Sequence, residues 1–223
     1  IRRIDLKSLN NVRIKNERLL CFYNSIIYNG KVLSNDTYKD ESKVKYYDVN
    51  ELIAAKEGEA PAVTELDIIQ KQKINFVLAK DGNVYTLESA DNGCNIVKIK
   101  NDFTLEKVFA NFQPAKGPYH SSPTIGMVAS ETENIIYLVS TDGAIYKYIL
   151  GDSDSLKAPF IAAESGVSIT APLQLNQQSG ELYVTYTEER KDESKIVVYS
   201  KDGKVLHTVD CGESVPSQIL FNN

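Results

Sequence analysis

The residues best suited to acid–base or nucleophilic chemistry are few and widely spaced in this sequence. The two histidines are His120, in the segment Gly-Pro-Tyr-His-Ser-Ser at 117–122, and His207, within a β-rich run. The sequence contains no G-x-S-x-G nucleophile elbow, no HExxH zinc site and no GxxxxGK[ST] phosphate loop. Because His120 falls in a predicted loop and His207 on a predicted outer strand, we expect them to form no catalytic pair. The sequence therefore predicts no catalytic residue.

A metal site has equally little support. Asp152 and Asp154 are spaced like the first ligands of a calcium loop, but Lys157 and Ala163 stand where that loop needs Gly and Glu. The chain also has three widely separated cysteines, Cys21, Cys94 and Cys211. Their odd number and the absence of a CxxC pair predict buried apolar side chains rather than a disulfide framework. We expect neither a metal nor a cofactor.

Residues suited to binding are concentrated in loops. Tyr119 stands beside His120, Asp91 and Asn92 occupy a predicted hairpin, and Arg190 lies in a mixed-charge run. Tyrosine offers a broad contact area with a polar tip, and Arg is enriched at binding hot spots. Asp91 and Asn92 add acceptors and a donor. These five residues are the candidate ligand-binding set, with a solvated loop as the alternative interpretation of the run around Arg190.

Composition and charge describe an ordinary globular chain. It has 223 residues, of which 42% are hydrophobic and 25% charged, with a net charge of −5. An acidic balance without a basic face argues against a nucleic-acid partner. No run approaches the 18 or so apolar residues of a transmembrane helix. The start at Ile1 lacks an initiator Met and a signal-peptide core, which predicts a processed or truncated chain and leaves the compartment open.

The elements that carry these residues form a weak repeat. Short β-rich runs begin at residues 1, 44, 96, 145 and 196. Repeats of about 40–50 residues that hold several short strands are typical of propeller blades. The sequence therefore predicts one all-β domain over 1–223, a β-propeller of four-stranded antiparallel blades. The predicted blades span about 17–68, 70–112, 119–163 and 167–210, with partial blade strands at 1–14 and 215–221. Either a five-part ring closes imperfectly, or the chain is part of a larger ring.

Local signals add detail to this prediction. The third full set of strands is expected to end with a fourth strand at Ala158–Ala162, and the last blade to begin with a strand at Ile169–Leu175. A helix is predicted at Val49–Lys56. Three Asp-Gly pairs, at 81–82, 142–143 and 202–203, each separate two predicted strands. Asp-Gly suits a type I′ hairpin because both central residues then have positive φ.

The last 70 or so residues resemble a known family. They contain Ser179-Gly-Glu-Leu-Tyr-Val184, Lys195-Ile-Val-Val-Tyr-Ser-Lys-Asp-Gly-Lys-Val205, Gly212 and Pro216-Ser-Gln-Ile-Leu-Phe221. This order resembles the YncE-like (YVTN-type) propellers of Bacteroides-type bacteria, which are surface or periplasmic proteins, commonly seven-bladed lipoproteins. The resemblance implies an extracytoplasmic location. One branch of that group captures cobalamin, so the resemblance allows cobalamin as a ligand, although no residue here matches a cobalamin contact.

Three interpretations of the function stay open, and we expect the first of them, which is not an enzyme. The first is a non-enzymatic binding module for a small molecule, a glycan or a protein. The second is an enzyme of lactonase or lyase type, and an intracellular interaction scaffold is a third reading. In a four-stranded blade, the loops between second and third strands share a face with those between consecutive blades. That face carries the loops at 89–95, 111–122, 141–143, 163–168, 187–194 and 210–215. Loops on a rigid scaffold carry function, so this face is the predicted binding face.

If Tyr119 is a binding anchor, Tyr119→Ala weakens ligand affinity by about 1–3 kcal/mol, the usual effect of removing a buried aromatic contact. Calorimetric titration of the variant measures this loss. His207→Ala, on a predicted outer strand, is the control and leaves affinity unchanged. An equal loss in both variants means that Tyr119 does not mark the site.

Overall fold

The computed structural model describes residues 2–5, 10–13, 25–35, 42–56, 59, 61–71, 75–115, 126–188, 193–216, 219 and 221. Within these ranges the chain is nearly all β, and its antiparallel sheets follow one another along the sequence, each a blade of a propeller-type fold. Two N-terminal strands, β1 (Arg2–Asp5) and β2 (Asn10–Arg13), pair with each other. Among the described helices, none has the length and apolar character needed to cross a bilayer.

The first blade has four strands in sequence order. They are β3 (Ile26–Tyr28), β4 (Lys31–Asn35), β5 (Ser42–Asp48) and β6 (Thr64–Gln70). The predicted helix is present between the last two strands as α1 (Val49–Ala54). It begins there because the carboxylate of Asp48 accepts hydrogen bonds from the backbone N–H groups of Asn50 and Glu51.

The second blade repeats this order. Its strands are β7 (Val77–Leu78), β8 (Val84–Ala90), β9 (Gly93–Ile99) and β10 (Leu105–Phe112). The register of β9 against β10 shifts twice, between Lys107 and Phe109 and between Phe109 and Phe112. Such bulges bend and twist a strand locally, and β10 nevertheless stays paired with β9 up to Phe112, opposite Cys94.

The third blade has three described strands rather than four. They are β11 (Met127–Ala129), β12 (Ile135–Val139) and β13 (Ile145–Ile149). The predicted fourth strand at Ala158–Ala162 is wrong, since a short 3-10 helix, Ser153–Leu156, follows β13 and only an isolated bridge joins Ile161 to Ile145. Pro159 has no backbone N–H to donate to a ladder, which limits this segment to that single bridge.

The fourth blade has its first strand divided in two. Its strands are β14 (Val167–Ile169), β15 (Gln174–Leu175), β16 (Leu182–Glu188), β17 (Ser194–Tyr199) and β18 (Val205–Gly212). Both β14 and β15 pair with β16, so the continuous strand predicted at Ile169–Leu175 is wrong. Pro172 lies between the two pieces and interrupts the hydrogen-bonded ladder. The predicted third strands of all four blades are present as β5, β9, β13 and β17.

The C-terminal segment, predicted as a first strand at 215–221, is described only in part. Pro216, Ile219 and Phe221 are not assigned to a strand. The Phe221 ring packs edge-on against Tyr183 of β16, with ring centroids 5.0 Å apart. The backbone N–H of Ile219 donates to Gln174 Oε1 at 2.7 Å. This segment therefore lies against the fourth blade, and whether it joins β1 and β2 in one sheet stays a prediction.

Successive side chains of a single strand pack against different neighbouring blades. On β8, Val84 belongs to the apolar core between the first and second blades, whereas Tyr85 and Leu87 belong to the core between the second and third. On β12, Leu138 packs toward the second blade and Tyr137 toward the fourth. Side chains alternate between the two faces of a strand, so a strand with neighbours on both faces is apolar throughout. All five residues of β12 are buried for this reason.

A chain of buried amide hydrogen bonds connects the first three blades. Asn35 Nδ2 donates to Gln70 Oε1 at 2.6 Å, and Gln70 Nε2 donates to Thr86 Oγ1 at 2.9 Å. Thr86 Oγ1 in turn donates to the Asn75 carbonyl at 3.2 Å. The Asn75 side chain accepts from the Met127 N–H at 3.0 Å and donates to the Met127 carbonyl at 2.7 Å. The bonds from Gln70 to Thr86 and from Asn75 to Met127 cross the two blade boundaries, so these side chains join neighbouring sheets.

The far end of β11 is held in the same way from the fourth blade. Gln177 Oε1 accepts from the Glu131 N–H at 2.8 Å, and Gln177 Nε2 donates to the Ala129 carbonyl at 3.0 Å. The short strand β11 is therefore held by side-chain amides of both neighbouring blades.

The hairpin turns differ from the predicted type. Gly82, Gly143 and Gly203 have positive φ, but the preceding aspartates do not, so the predicted type I′ turns are wrong. The glycine is instead the last residue of a four-residue turn, as where the Gly82 N–H donates to the Ala79 carbonyl. The type I′ geometry occurs at Asn29-Gly30, where φ is 47° and 73° and the loop has two residues.

Phe103 occupies the glycine-like position of the turn between β9 and β10, with φ of 64°. A bulky residue rarely adopts this conformation. Its ring packs between two tyrosines of the first blade, 5.9 Å from Tyr28 and 4.6 Å from Tyr46 between centroids. The aromatic contacts between blades therefore offset the backbone strain.

Gln70→Ala lowers the free energy of unfolding by about 2–4 kcal/mol, because it leaves the buried Asn35 amide and the Leu87 carbonyl without partners and opens a cavity. Urea denaturation monitored by circular dichroism measures the loss. Gln178→Ala, at an exposed position, is the matched control and changes stability by less than about 0.5 kcal/mol. Equal stability of the two variants would contradict a structural role for the buried amides.

Candidate functional site

A cleft of about 280 Å³ opens between the second and third blades. Its walls come from the bulged end of β10, from the turn after β12 and from the first part of β13. The lining residues combine polar side chains, one of them a carboxylate, with an aromatic and aliphatic floor: Phe109, Asn111, Phe112, Gln113, Ser140, Thr141, Asp142, Tyr146 and Leu156. A concave surface of this composition is the default candidate for a binding site.

The second-blade wall depends on a close approach of two backbones. Asn111 has φ of 61°, and Gln113 follows two residues later. Gln113 Nε2 donates to the Asn92 carbonyl at 2.6 Å. Gly93, with φ of 117°, lies directly beneath, and a Cβ there would overlap the Gln113 amide and the Phe112 carbonyl. Glycine at this position therefore allows the hairpin between β8 and β9 to support the cleft.

The third-blade wall is connected to the second blade by backbone hydrogen bonds. The Thr141 N–H donates to the Gln113 carbonyl, and the Ala115 N–H donates to the Val139 carbonyl, both at 2.9 Å. Pro114 and Ser140 form an isolated bridge between them. The chain leaving the second blade thus pairs briefly with the end of β12, and this pairing joins the two walls of the cleft.

The floor of the cleft is aromatic. The rings of Phe112 and Tyr146 meet edge to face, with centroids 5.8 Å apart and an interplanar angle of 87°. Phe112 and Leu156 are buried, while Phe109 and Tyr146 are half-buried and offer ring surface to the cleft. A ligand would therefore meet apolar ring faces below and polar groups at the rim.

Asp142 is the one carboxylate among the described residues that line the cleft. It accepts a hydrogen bond from the Ser140 hydroxyl and another from the Ala144 N–H. These two donors, the hydroxyl first, hold the pKa of Asp142 below its ordinary value against the opposing effect of partial burial. The carboxylate is therefore a fixed negative charge and a hydrogen-bond acceptor at neutral pH.

The structure places only part of the predicted binding set. Asp91 and Asn92 are exposed at the turn between β8 and β9, and Asn92 contacts the cleft-lining Gln113 through its carbonyl. Tyr119, His120 and Arg190 lie outside the described residues. These five residues therefore stay a prediction. His207, their intended control, is exposed on the outer strand β18.

Sequence reasoning named the loops around the cleft but not its residues. The cleft lies between the predicted loops 111–122 and 141–143, yet Asn111, Gln113 and Thr141 were not singled out. Asn111, near the end of β10, and Gln113, directly after it, face the Ser-Thr-Asp turn at 140–142, and this pattern is a signal only when the two segments are known to meet.

The other acidic and thiol side chains considered in the sequence have structural surroundings of their own. Asp152 caps the 3-10 helix by accepting from the Asp154 N–H, and Asp154 pairs with Lys157 at 2.8 Å. Burial raises the pKa of the Cys94 thiol to about 11, which keeps it protonated. Across the part of the chain that the structure describes, no three His, Cys, Asp or Glu side chains converge as a metal site would need.

One sequence family matches this chain. The model of the family described as Domain of unknown function (DUF5074) covers residues 24–222. No curated protein matches the chain. The propeller-type fold implied by the resemblance to YncE-like proteins is confirmed, whereas the finer assignment to that group stays a prediction.

Solved structures match this chain at low sequence identity. Puromycin hydrolase is 13% identical with a TM-score of 0.54, over 90% of this chain and 29% of that one. Prolyl oligopeptidase B from Galerina marginata is 11% identical with a TM-score of 0.55, over 90% and 28%. Virginiamycin B lyase from Staphylococcus aureus is 13% identical with a TM-score of 0.45, over 93% and 61%. The chain spans less than two thirds of each, and the likeness to the first two shows the fold alone.

Asp142→Asn lowers the urea midpoint at pH 7, because the ionised form of Asp142 is favoured by its two donors. A carboxylate with a lowered folded pKa stabilises the fold above its unfolded pKa of about 4, and this contribution disappears as the pH falls through the folded value. The difference in urea midpoint between Asp142→Asn and the unsubstituted chain therefore narrows below about pH 4. Urea titrations between pH 7 and pH 3 measure it.

The control is Asp202→Asn, in the Asp-Gly turn between β17 and β18 of the fourth blade. The Asp202 carboxylate accepts no hydrogen bond from the other described residues in this turn, so its substitution leaves the midpoint at pH 7 unchanged. If the difference in urea midpoint for Asp142→Asn stays constant down to pH 3, the charge of Asp142 contributes nothing to the stability of the fold.

Proposed function

This chain belongs to the DUF5074 family, and from its fold and its cleft we propose that it acts as a non-enzymatic binding module. The ligand is a small molecule that occupies the cleft between the second and third blades. We further propose an extracytoplasmic location, at the outer-membrane surface or in the periplasm, on the strength of the resemblance to YncE-like propellers. Fractionation of the native cells tests this location.

The state of Asp142 is the observation that carries the proposal. A general acid or base works best with a pKa near the operating pH. The hydrogen bonds from Ser140 and Ala144 move the pKa of Asp142 in the opposite direction, away from neutrality. The neighbouring groups are an amide pair, hydroxyls and aromatic rings, which orient and contact a ligand without transferring protons at neutral pH.

The enzymatic reading is the competing hypothesis. Puromycin hydrolase and virginiamycin B lyase are enzymes by name, but this chain is similar to the first in fold alone and spans 29% of its length. A common fold hosts many unrelated functions, so the site rather than the architecture decides between binding and catalysis. A substrate that is converted by the purified chain would favour the enzymatic reading.

A blocking substitution tests the site and the function together. Thr141→Arg places a long charged side chain at the exposed rim, and it weakens binding at least about tenfold because it fills the entrance. The readout is the thermal shift produced by a library of small molecules, followed by titration of each hit. Mass spectrometry of the recovered ligand shows whether it is chemically unchanged.

The matched control is Thr208→Arg, which introduces the same side chain at an exposed threonine of β18. It retains full affinity. Binding that survives Thr141→Arg would place the ligand elsewhere, and turnover of any hit by the unsubstituted chain would refute a purely binding role.

A further inference from the structure

We propose that the cleft binds an uncharged saccharide of one or two sugar rings, an inference that rests on the proposed binding function. The argument depends on which polar groups of the cleft are free, on its charge, on its aromatic surface and on its size. Each of these excludes a different class of small molecule.

Three side chains of the rim have polar atoms available to a ligand. The Asn111 amide and the Thr141 hydroxyl form no hydrogen bond with the other described residues, and neither does Gln113 Oε1, although Gln113 Nε2 is bound to Asn92. Together they offer amide N–H donors, two amide oxygens and a hydroxyl that both donates and accepts. Neighbouring hydroxyl groups on a sugar ring are likewise donors and acceptors, so they can satisfy this set together.

The charge of the cleft disfavours anions. No Lys, Arg or His is among its described lining residues, and the Asp142 carboxylate remains ionised at neutral pH. A phosphate, a nucleotide or an acidic sugar would therefore lie beside a like charge without a compensating cation. The cleft instead favours a neutral ligand whose hydroxyl group can donate a hydrogen bond to the Asp142 carboxylate.

The aromatic surface distinguishes a saccharide from other neutral polar molecules. Phe109 and Tyr146 are half-buried and line the cleft beneath its polar rim. A pyranose has apolar C–H faces as well as equatorial hydroxyls, so it can contact the rings and the rim at once. An alkylammonium ion could also use the rings and Asp142, but it would leave the amides of Asn111 and Gln113 unpaired.

The size of the cleft sets the length of the ligand. Its volume of about 280 Å³ lies at the lower limit of pockets that enclose drug-sized ligands, about 300–1,000 Å³. The cleft is open at the rim rather than closed, so a longer chain could extend from it, while one or two rings would contact the lining residues.

The conformation of Asn111 provides a clean test. Its φ of 61° suits glycine, so Asn111→Gly removes only the amide and retains the backbone. Asn29→Gly is the matched control, because Asn29 is also exposed with a positive φ of 47° but belongs to the hairpin between β3 and β4, away from the lining of the cleft. Both variants fold if the positive φ is the main local constraint.

The probes are methyl glucoside, methyl galactoside, methyl mannoside, N-acetylglucosamine, cellobiose, maltose and lactose, with inorganic phosphate and tetramethylammonium as charged comparators. Binding is followed through the backbone amide resonances of Gln113 and Thr141 in the isotope-labelled chain. We expect at least one neutral sugar to shift both resonances, phosphate to shift neither, and Asn111→Gly to weaken sugar binding about 3- to 10-fold. Asn29→Gly stays within about twofold of the unsubstituted chain.

The outcomes separate the two proposals. If tetramethylammonium or phosphate shifts the two resonances and no sugar does, the saccharide assignment is overturned while a binding role for the cleft survives. If no probe shifts them, the saccharide assignment fails as well. A sugar that binds but is cleaved supports the saccharide class and overturns the non-enzymatic function. Equal effects of the two glycine variants would show that the sugar does not use Asn111 and overturn the assignment of the site.

Discussion

Burial of each inner sheet on both faces is the constraint on which the rest of this structure depends. A sheet between two blades has no solvent-facing side, so its central strands must be apolar at odd and even positions alike. In β12 this requirement leaves five consecutive buried residues, divided between two separate cores. The outer strand β18 is not subject to this requirement. Every position of β18 is at least partly exposed, and Val205 retains 59% of its accessible surface.

The cleft follows from the same stacking. The chain must cross from the outer strand of one blade to the inner strand of the next, and on its way it pairs briefly with the end of β12 through Pro114 and Ser140. The register shifts of β10 lie directly before this crossing. The cleft is the space between that crossing segment and the aromatic side chains beneath it, so its shape is set by backbone pairing rather than by mobile side chains.

Much of the fold could be predicted from the sequence, because the repeat of β-branched and aromatic runs reflects burial directly. Runs such as Ile145–Ile149 and Ser194–Tyr199 fall where the third strands of the blades lie. The exceptions have local causes that a strand pattern does not encode. Pro159 and Pro172 interrupt ladders that the apolar pattern continues.

The site was much less accessible to sequence reasoning. Asn111 and Thr141 become neighbours only through the packing of two blades, and each belongs to a short polar segment of ordinary appearance. The same holds for the pairing of Asn35 with Gln70, since neither residue carries a local signal that it is buried. The chemical identity of the loops could be read from the sequence, but their meeting points depend on tertiary structure.

The amide contacts at β11 have a consequence for how similar repeats find their proper neighbours. Apolar faces of comparable shape are largely interchangeable, so the cores alone would tolerate an exchange of one blade for another, within a chain or between chains. The side chains of Asn75 and Gln177 are more specific, because each forms hydrogen bonds with the backbone at one particular end of β11. A blade docked out of order would leave these partly buried amides without their backbone partners. These polar contacts therefore specify the order of the blades around the axis. Hydrophobic packing alone would not determine that order.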